Sequence, residues 1–477
     1  MIVRVVHGKF EREAKTAEYP TRELSSGGSG ESTGTEEAPS FSPARPNEPA
    51  REESCIDLME QVVERENLLS ALRRVEKNKG AAGVDGMEIK SLRPFLMENW
   101  GRIRSELLHG TYQPLPVRRV EIPKPDGGGK RMLGIPAVLD RLIQQALLQV
   151  LTPIFDPEFS WYSYGFRQGR NAHQAVNQAQ MYIAQGYRYV VDMDLAQFFD
   201  RVNHDMLMAR VARKARDKRV LKLIRGYLNA GVMEHGVCVT TEEGVPQGGP
   251  LSPLLANIML DDVDKELTRR GHRFVRYADD CNVYVKSRHA GERVMESVRR
   301  FVEERLKLKV NVDKSAVDRP WKRKFLGFSF TPNKVPRIRI APKSLKRFKD
   351  KVRQLTSRSR GQCMEQRLDW LNAYLRGWAG YYRHAQTRSV FEDLDKWIRH
   401  RLRMCFLKQW KKPKTKRRNL VVLGIPEEWA VLISGSRKGY WRLSNTPQMN
   451  KALGLAYWRD RGLVSLVERY DVIRSTT

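Results

Sequence analysis

Beyond the first fifty or so residues, the chain's apolar positions fall into clear periods. Leu58, Val62, Leu69, Leu72 and Val75 recur at helical spacing from Ile56 and predict one helix that stops at Lys79-Gly80. A second helix is predicted from Ala137 to Leu151, after the Gly-rich turn at Gly127 to Gly129, with Val138, Leu142, Ala146 and Leu147 on its apolar face. The period then shortens to two. Tyr189 to Leu195 reads as a strand with Val191, Met193 and Leu195 on one face and Asp192 and Asp194 on the other. Phe274 to Val285 reads as a hairpin, because two β-favouring runs flank the polar step Asp279-Asp280. Between these elements, Gly244 to Ile258 is a Gly/Pro-rich loop that leads into a helix. After Phe330 the composition shifts, and Leu345, Phe348, Val352 and Leu355 mark a strongly basic helix. The main domain boundary is placed near residue 335, and no internal repeat is evident.

Composition adds to this outline at both ends of the chain. Residues 18–53 are dominated by Ser, Gly, Thr, Glu and Pro, which cannot offset the entropy of ordering, so residues 1–54 are expected to form a disordered acidic extension. The 477 residues suggest two or three domains. Net charge is +31, which points to a polyanionic partner, most often nucleic acid. The excess is concentrated late: residues 331–477 hold 34 basic and 11 acidic side chains, whereas residues 1–54 hold 7 and 10. The last third is therefore expected to be the main electrostatic anchor. The five cysteines form no Cys-x-x-Cys pair and no zinc-like cluster, which suits reduced thiols. Neither a signal-peptide core nor a run of ~20 apolar residues is present, so the expected location is the bacterial cytoplasm or nucleoid, with no membrane partner.

The carboxylates suggest chemistry. In-line displacement at phosphorus uses two divalent ions ~4 Å apart to stabilise the attacking and leaving oxygens. Magnesium prefers hard carboxylate oxygens, and two or three aspartates suffice to hold it. A strand ending in Asp194 beside a turn carrying Asp279 and Asp280 would supply such a set. An Asp-Asp step in a turn also occurs for purely local hydrogen-bonding reasons.

Ordered motifs decide between these readings. They are Glu121-Ile-Pro-Lys-Pro followed by Arg131-Met-Leu-Gly-Ile-Pro136; Tyr164-Gly-Phe-Arg-Gln-Gly-Arg170; Val191-Asp-Met-Asp-Leu-Ala-Gln-Phe-Phe-Asp200; Gly244-Val-Pro-Gln-Gly-Gly-Pro-Leu-Ser-Pro253; Tyr277-Ala-Asp-Asp280; and Phe325-Leu-Gly-Phe328. From about Leu58 to its end the chain resembles bacterial group II intron-encoded reverse transcriptases with maturase activity, and among them the compact group IIC type without an endonuclease domain. The resemblance implies an α+β, right-hand polymerase of fingers, antiparallel palm sheet and thumb, followed by a basic helical maturase and DNA-binding region. Residues 55–335 would be fingers and palm, 336–420 the thumb and maturase (X) domain, and 421–477 a DNA-binding-like region.

The resemblance also implies roles for individual residues. Asp194, Asp279 and Asp280 would hold two Mg2+ ions with help from the Leu195 carbonyl, and Asp192 is weighed as a structural carboxylate. Phe199 would exclude a ribose 2′-hydroxyl, with Phe198 as the core aromatic. Lys124 and Arg131 would close over the triphosphate of a dNTP, Gln247 would contact its sugar, and Lys314 would stand where a general acid serves the departing pyrophosphate.

Residues 341–359 would form the first thumb helix. Trp378 is expected in the core, with Arg376 and Arg383 facing outward to bind RNA or DNA. The run Lys411, Lys412, Lys414, Lys416, Arg417 and Arg418 is expected to be too charged to pack and to contact RNA phosphates. Arg437-Lys438-Gly439-Tyr440-Trp441 matches the DNA-binding pattern. The implied partners are structured intron RNA, an RNA or DNA template with primer, dNTPs and target DNA. Two alternatives stand beside this function: a host-adopted reverse transcriptase in DNA repair or defence, and a splicing cofactor with little polymerase activity.

Overall fold

The computed structural model describes residues 57–123, 129–234, 237–239, 243–245 and 248–475. The expectation for residues 1–54 and the positions of Lys124 and Gln247 lie outside them. The N-terminal period forms two helices, Leu58–Val62 and Arg65–Asn78, rather than one. Glu64 is extended, and the Val62 carbonyl freed by the break accepts a hydrogen bond from Asn67 Nδ2 at 3.0 Å. Lys79 ends the second helix in a left-handed conformation, at the predicted stop.

The fingers carry a hairpin of β1 (Val117–Pro123) and β2 (Lys130–Ile135), antiparallel in a register that sets Ile122 opposite Arg131. Two short strands, β4 (Val232–Glu234) and β5 (Val237–Val239), extend this sheet in the order β2-β1-β4-β5. The helix Val138–Phe155 follows the hairpin and buries Val138, Leu142, Ala146 and Leu147, the predicted face.

In the palm, β3 (Tyr189–Met193), β6 (Arg273–Tyr277), β7 (Asp280–Val285) and β8 (Ala316–Asp318) form an antiparallel sheet in the order β6-β7-β3-β8. Alternation buries both of its faces. Val191, Phe274 and Val283 enter one core with Val298 and Val302 of the helix Arg288–Arg305. Val190, Val275 and Tyr284 enter a second with Ala175, Val176 and Ala179 of the helix Ala172–Ala184.

That second core continues into the C-terminal half. There Phe348, Leu371, Trp378 and Phe391 pack from the helices Pro342–Leu355, Met364–Tyr382 and Arg388–Gln409. The first of these is shorter than the predicted span, and β9 (Phe328–Phe330) pairs with β10 (Ile338–Ile340) just before it. Trp378 is buried, and Arg376 and Arg383 are exposed.

The basic run 411–418 departs from expectation. Pro413 opens a helix, Pro413–Val422, whose Leu420 packs in a third small core with Leu407, Ile433 and Leu443. Lys416 lies one turn before Leu420 on the same face, so it is buried, with its ammonium 5.3 Å from the centroid of the Tyr440 ring. Arg417 pairs with Glu427. Lys411, Lys412, Lys414 and Arg418 remain exposed. Among the described residues Cys281, Cys363 and Cys405 are free thiols, and no helix is long and apolar enough to cross a membrane.

Candidate active site

Asp194 follows the last residue of β3, and a turn at 311–315 holds its backbone. The Asp194 amide donates to Ser315 Oγ at 3.0 Å, and its carbonyl accepts from the Asn311 amide at 2.8 Å. Leu195 continues the contact through an isolated bridge to Val310, with its side chain buried. The same turn carries Lys314, whose ammonium lies 3.2 Å from Asp194 Oδ2. That oxygen is buried and makes no hydrogen bond of proper geometry, so its charge is balanced by proximity alone.

Opposite β3, the β6–β7 turn presents Asp279 and Asp280. The turn is built on Ala278, which has φ of +57°, a left-handed conformation that alanine rarely adopts. Buried polar groups over-determine it. Arg276, 1% exposed, donates from Nε and Nη2 to the two Asp264 carboxylate oxygens at 2.8 and 2.6 Å. Its Nη1 reaches Asn257 Oδ1 at 2.9 Å and the Ala278 carbonyl at 3.0 Å. Asn257 in turn donates to the Gly165 carbonyl at 2.9 Å. Position 165 requires glycine for space, since a Cβ there would stand 2.2 Å from the Ala278 nitrogen.

The carboxylates share one crowded field. Burial raises the Asp279 carboxyl above the usual range, its own amide works against that, and Asp194 raises it further while Arg131 and Arg276 pull it down. Asp280 is the more open residue, yet loss of surrounding water, then the charges of Asp279, Asp192 and Asp194, push it up to about 7. Among the described residues no three acidic, His or Cys side chains converge on one ion-sized point. The donor set suits a hard divalent ion: it is all-oxygen and includes a buried Asp194 oxygen without a hydrogen bond.

Asp192 has a different partner. Arg323 donates to it from Nε at 2.8 Å and reaches the Lys314 carbonyl from Nη2 at 2.6 Å, tying β3 to the 311–315 turn. The Asn282 side-chain amide donates to Asp192 Oδ1 at 3.0 Å. Asp192 is thus held as a structural carboxylate.

Phe199 lines a cavity of about 170 Å3 with Met132, Leu133 and Gly134 of β2 and with Gly244 and Val245. Phe198, its neighbour, is 3% exposed in the core, and the two rings lie 5.1 Å apart at 74°. The Val245 amide donates to the Phe199 carbonyl at 2.6 Å, which ties Val245 to the Phe199 segment. Gly248 has φ of +127°, and a Cβ there would approach the Gly134 carbonyl to 2.4 Å, which places the loop hard against β2. Arg131 is exposed on β2, and its charge reaches Asp279. Asp194, Asp279, Asp280, Arg131 and Lys314 are therefore brought together and Phe199 lies in the neighbouring cavity against β2, while Arg376, Arg383 and the 411–418 run lie on the helical half. Sequence reading missed Arg276, Asp264, Asn257 and Arg323. A charge within the apolar run Phe274-Val275-Arg276, and Asp264 on the face of Leu260, Val263 and Leu267, were the available signals.

Comparison with known proteins follows this division. The family described as reverse transcriptase (RNA-dependent DNA polymerase) matches residues 122–330, and the group II intron, maturase-specific domain matches residues 345–422. Protein YkfC of Escherichia coli is 36% identical over 300 residues, covering 54% of this chain and 78% of that protein. The group II intron-encoded protein LtrA of Lactococcus lactis subsp. cremoris is 37% identical over 206 residues, 43% of this chain and 34% of LtrA, so the match spans about a third of that relative. The solved structure "Partial Cas6-RT-Cas1--Cas2 complex" aligns with a TM-score of 0.34 and 27% identity, covering 52% of this chain and 42% of that one. With a polymerase region running through fingers and palm and a maturase-specific region in the basic helices after it, the chain belongs to the group II intron reverse transcriptase and maturase family, RNA-directed DNA polymerases that generally use divalent metals.

Proposed function

We propose that this chain extends a primer on an RNA template with deoxynucleotides, Asp194, Asp279 and Asp280 holding two magnesium ions, while its helical half binds structured intron RNA and promotes splicing and mobility into target DNA. One observation carries the polymerase reading. Asp194 at the end of β3 and Asp279 and Asp280 in the β6–β7 turn lie at neighbouring strand ends of one sheet, where loss of surrounding water and then the charges of Asp279, Asp192 and Asp194 push Asp280 up to about 7. Lys314 beside Asp194 and Arg131 near Asp279 offset only part of that negative field, which suits a site for bound cations.

When bound, the ions supply charge stabilisation of the attacking and leaving oxygens. The chain's own residues do the rest. Arg131 meets the triphosphate from β2, with Lys124 as its expected partner, and Gln247 is the expected sugar contact. Phe199 is the expected sugar-facing ring that excludes a 2′-hydroxyl. Lys314 holds a proton on Nζ at 3.2 Å from Asp194 and delivers it to the departing pyrophosphate. Arg323 and Ser315 keep the Lys314 turn in place. Residues 55–335 serve as fingers and palm, 336–420 as thumb and maturase domain, and 421–477 as the DNA-binding-like region.

The test is extension of a DNA primer annealed to an RNA template by the purified protein with dNTPs. Magnesium-dependent extension that chelation abolishes is the expected result. Absence of extension across a full magnesium titration would sink the reading.

A further inference from the structure

A short 3-10 helix, Asp156–Glu158, opens a loop through residue 170 that the roles above leave unused. Arg167 is buried and laces it together. It donates from Nε to Asp156 Oδ1 at 2.7 Å, from Nη2 to the Asp156 carbonyl at 2.8 Å, and from Nη1 to the carbonyls of Ser160 and Ser163 at 2.7 and 3.1 Å. The Tyr164 amide donates to the Arg276 carbonyl and the Arg276 amide to the Tyr162 carbonyl, each at 2.9 Å, which lays the loop along β6. With Gly165 packed on Ala278, the loop is fixed against the turn that carries Asp279.

A loop held this firmly nevertheless turns two large aromatic side chains to solvent. Trp161 is 72% exposed and Phe166 53%. Phe166 also has φ of +60°, a left-handed conformation that is an outlier for a bulky residue and persists only where surrounding structure enforces it. The Arg170 guanidinium lies 4.5 Å from the Trp161 ring centroid and 5.5 Å from that of Tyr164, adding a cation to the same edge. Exposed rings on a rigid loop are suited to stacking, because they meet a ligand face without loss of loop entropy.

We propose that Trp161 and Phe166, with Arg170, form a stacking platform for unpaired bases of the template strand entering the cleft. The choice of strand follows from chemistry. Aromatic side chains hold bases whose faces are free. Behind the primer end both strands are paired and stacked, so the strand still to be copied is the one that offers free faces beside the Asp279 turn. The ligand class is single-stranded RNA or DNA on the 5′ side of the templating position. The inference rests on the polymerase reading above.

The experiment measures binding, which needs no catalysis. Dissociation constants of the full chain are taken by fluorescence anisotropy for a DNA primer on an RNA template, either flush-ended or with a short 5′ template overhang, and for overhangs carrying one abasic residue at successive positions. Wild type should bind the overhang about ten-fold more tightly than the flush duplex, with one abasic position removing most of that gain. Trp161→Ala and Phe166→Asn should lose both the gain and the abasic sensitivity while binding the flush duplex as wild type does. Asn is chosen at 166 because it adopts the left-handed backbone readily, so the fold is kept and thermal unfolding reports it. Variants that keep the overhang gain, or that lose flush and overhang binding equally, overturn the platform. Primer extension on the same duplexes separates the two claims. A wild type that extends but shows no overhang preference overturns the platform alone; one that fails to extend overturns the polymerase reading and the platform with it.

Discussion

Phe198 and Phe199 are adjacent rings with opposite surroundings, one in the core and one on the cavity floor beside β2. If the exposed face of Phe199 excludes a ribose hydroxyl, Phe199→Val should raise ribonucleotide over deoxynucleotide incorporation by about ten-fold or more, the scale of one relieved clash. Competitive single-nucleotide incorporation reads this directly, and unchanged selectivity in an active variant would place the gate elsewhere. Asp280 supports a second expectation at the same scale. A carboxyl raised to about 7 holds a proton that magnesium must displace as pH falls through 7, instead of near the ordinary carboxylate range. The magnesium concentration for half-maximal extension should therefore rise between pH 8 and pH 6, by up to about ten-fold per unit for one displaced proton. A flat dependence would mean that Asp280 does not titrate with metal binding. Phe199, Arg131 and the three aspartates could be singled out in the sequence because each sits in an ordered motif. Arg276 and Asp264 were not, because a buried ion pair between a strand and a helix has no local spacing to betray it.

At the scale of elements, the β6–β7 turn depends on that ion pair for its shape. Arg276→Met alone should be strongly destabilising, by about 3–5 kcal/mol, because it leaves Asp264 charged and buried. Joint replacement Arg276→Met with Asp264→Leu removes both charges and should restore much of the stability. It also removes the hydrogen bond to the Ala278 carbonyl, so extension should stay at least ten-fold below wild type while thermal unfolding recovers. Full recovery of extension would show that the pair stabilises the palm without shaping the turn. The elements themselves were unequally readable. The helix Val138–Phe155 shows a sustained period, and β3 and the β6–β7 hairpin show alternation around polar steps. The break at Val63-Glu64 has neither Gly nor Pro to mark it, and β8, β9 and β10 are three residues each, too short for alternation to show. In the run 411–418 charge concealed a helix, because the single apolar anchor Leu420 lies beyond it.

Across the whole molecule, most of the excess positive charge lies after residue 330 and the carboxylates lie before it, and this separation is what allows two activities to be tested apart. Neutralising Lys411, Lys412, Lys414, Lys416, Arg417 and Arg418 together should weaken intron RNA binding and flatten its dependence on log salt, by roughly 0.7–0.9 per lost phosphate contact. Because Lys416 is buried against Tyr440 and Arg417 pairs with Glu427, most of the effect should come from Lys411, Lys412, Lys414 and Arg418, and a variant of those four should reproduce it. Salt titrations of RNA binding decide this, and equal slopes for wild type and variant would leave the run a solvated surface. The most direct test of the central claim uses one substitution and two readouts. Asp279→Asn removes a carboxylate from the cleft and touches nothing in the helical half. RNA-templated primer extension should be abolished, since several kcal/mol of transition-state stabilisation are lost, whereas intron RNA affinity and protein-assisted splicing should stay within a few-fold of wild type. Extension above about a tenth of wild type, or splicing lost in parallel with it, would contradict the account.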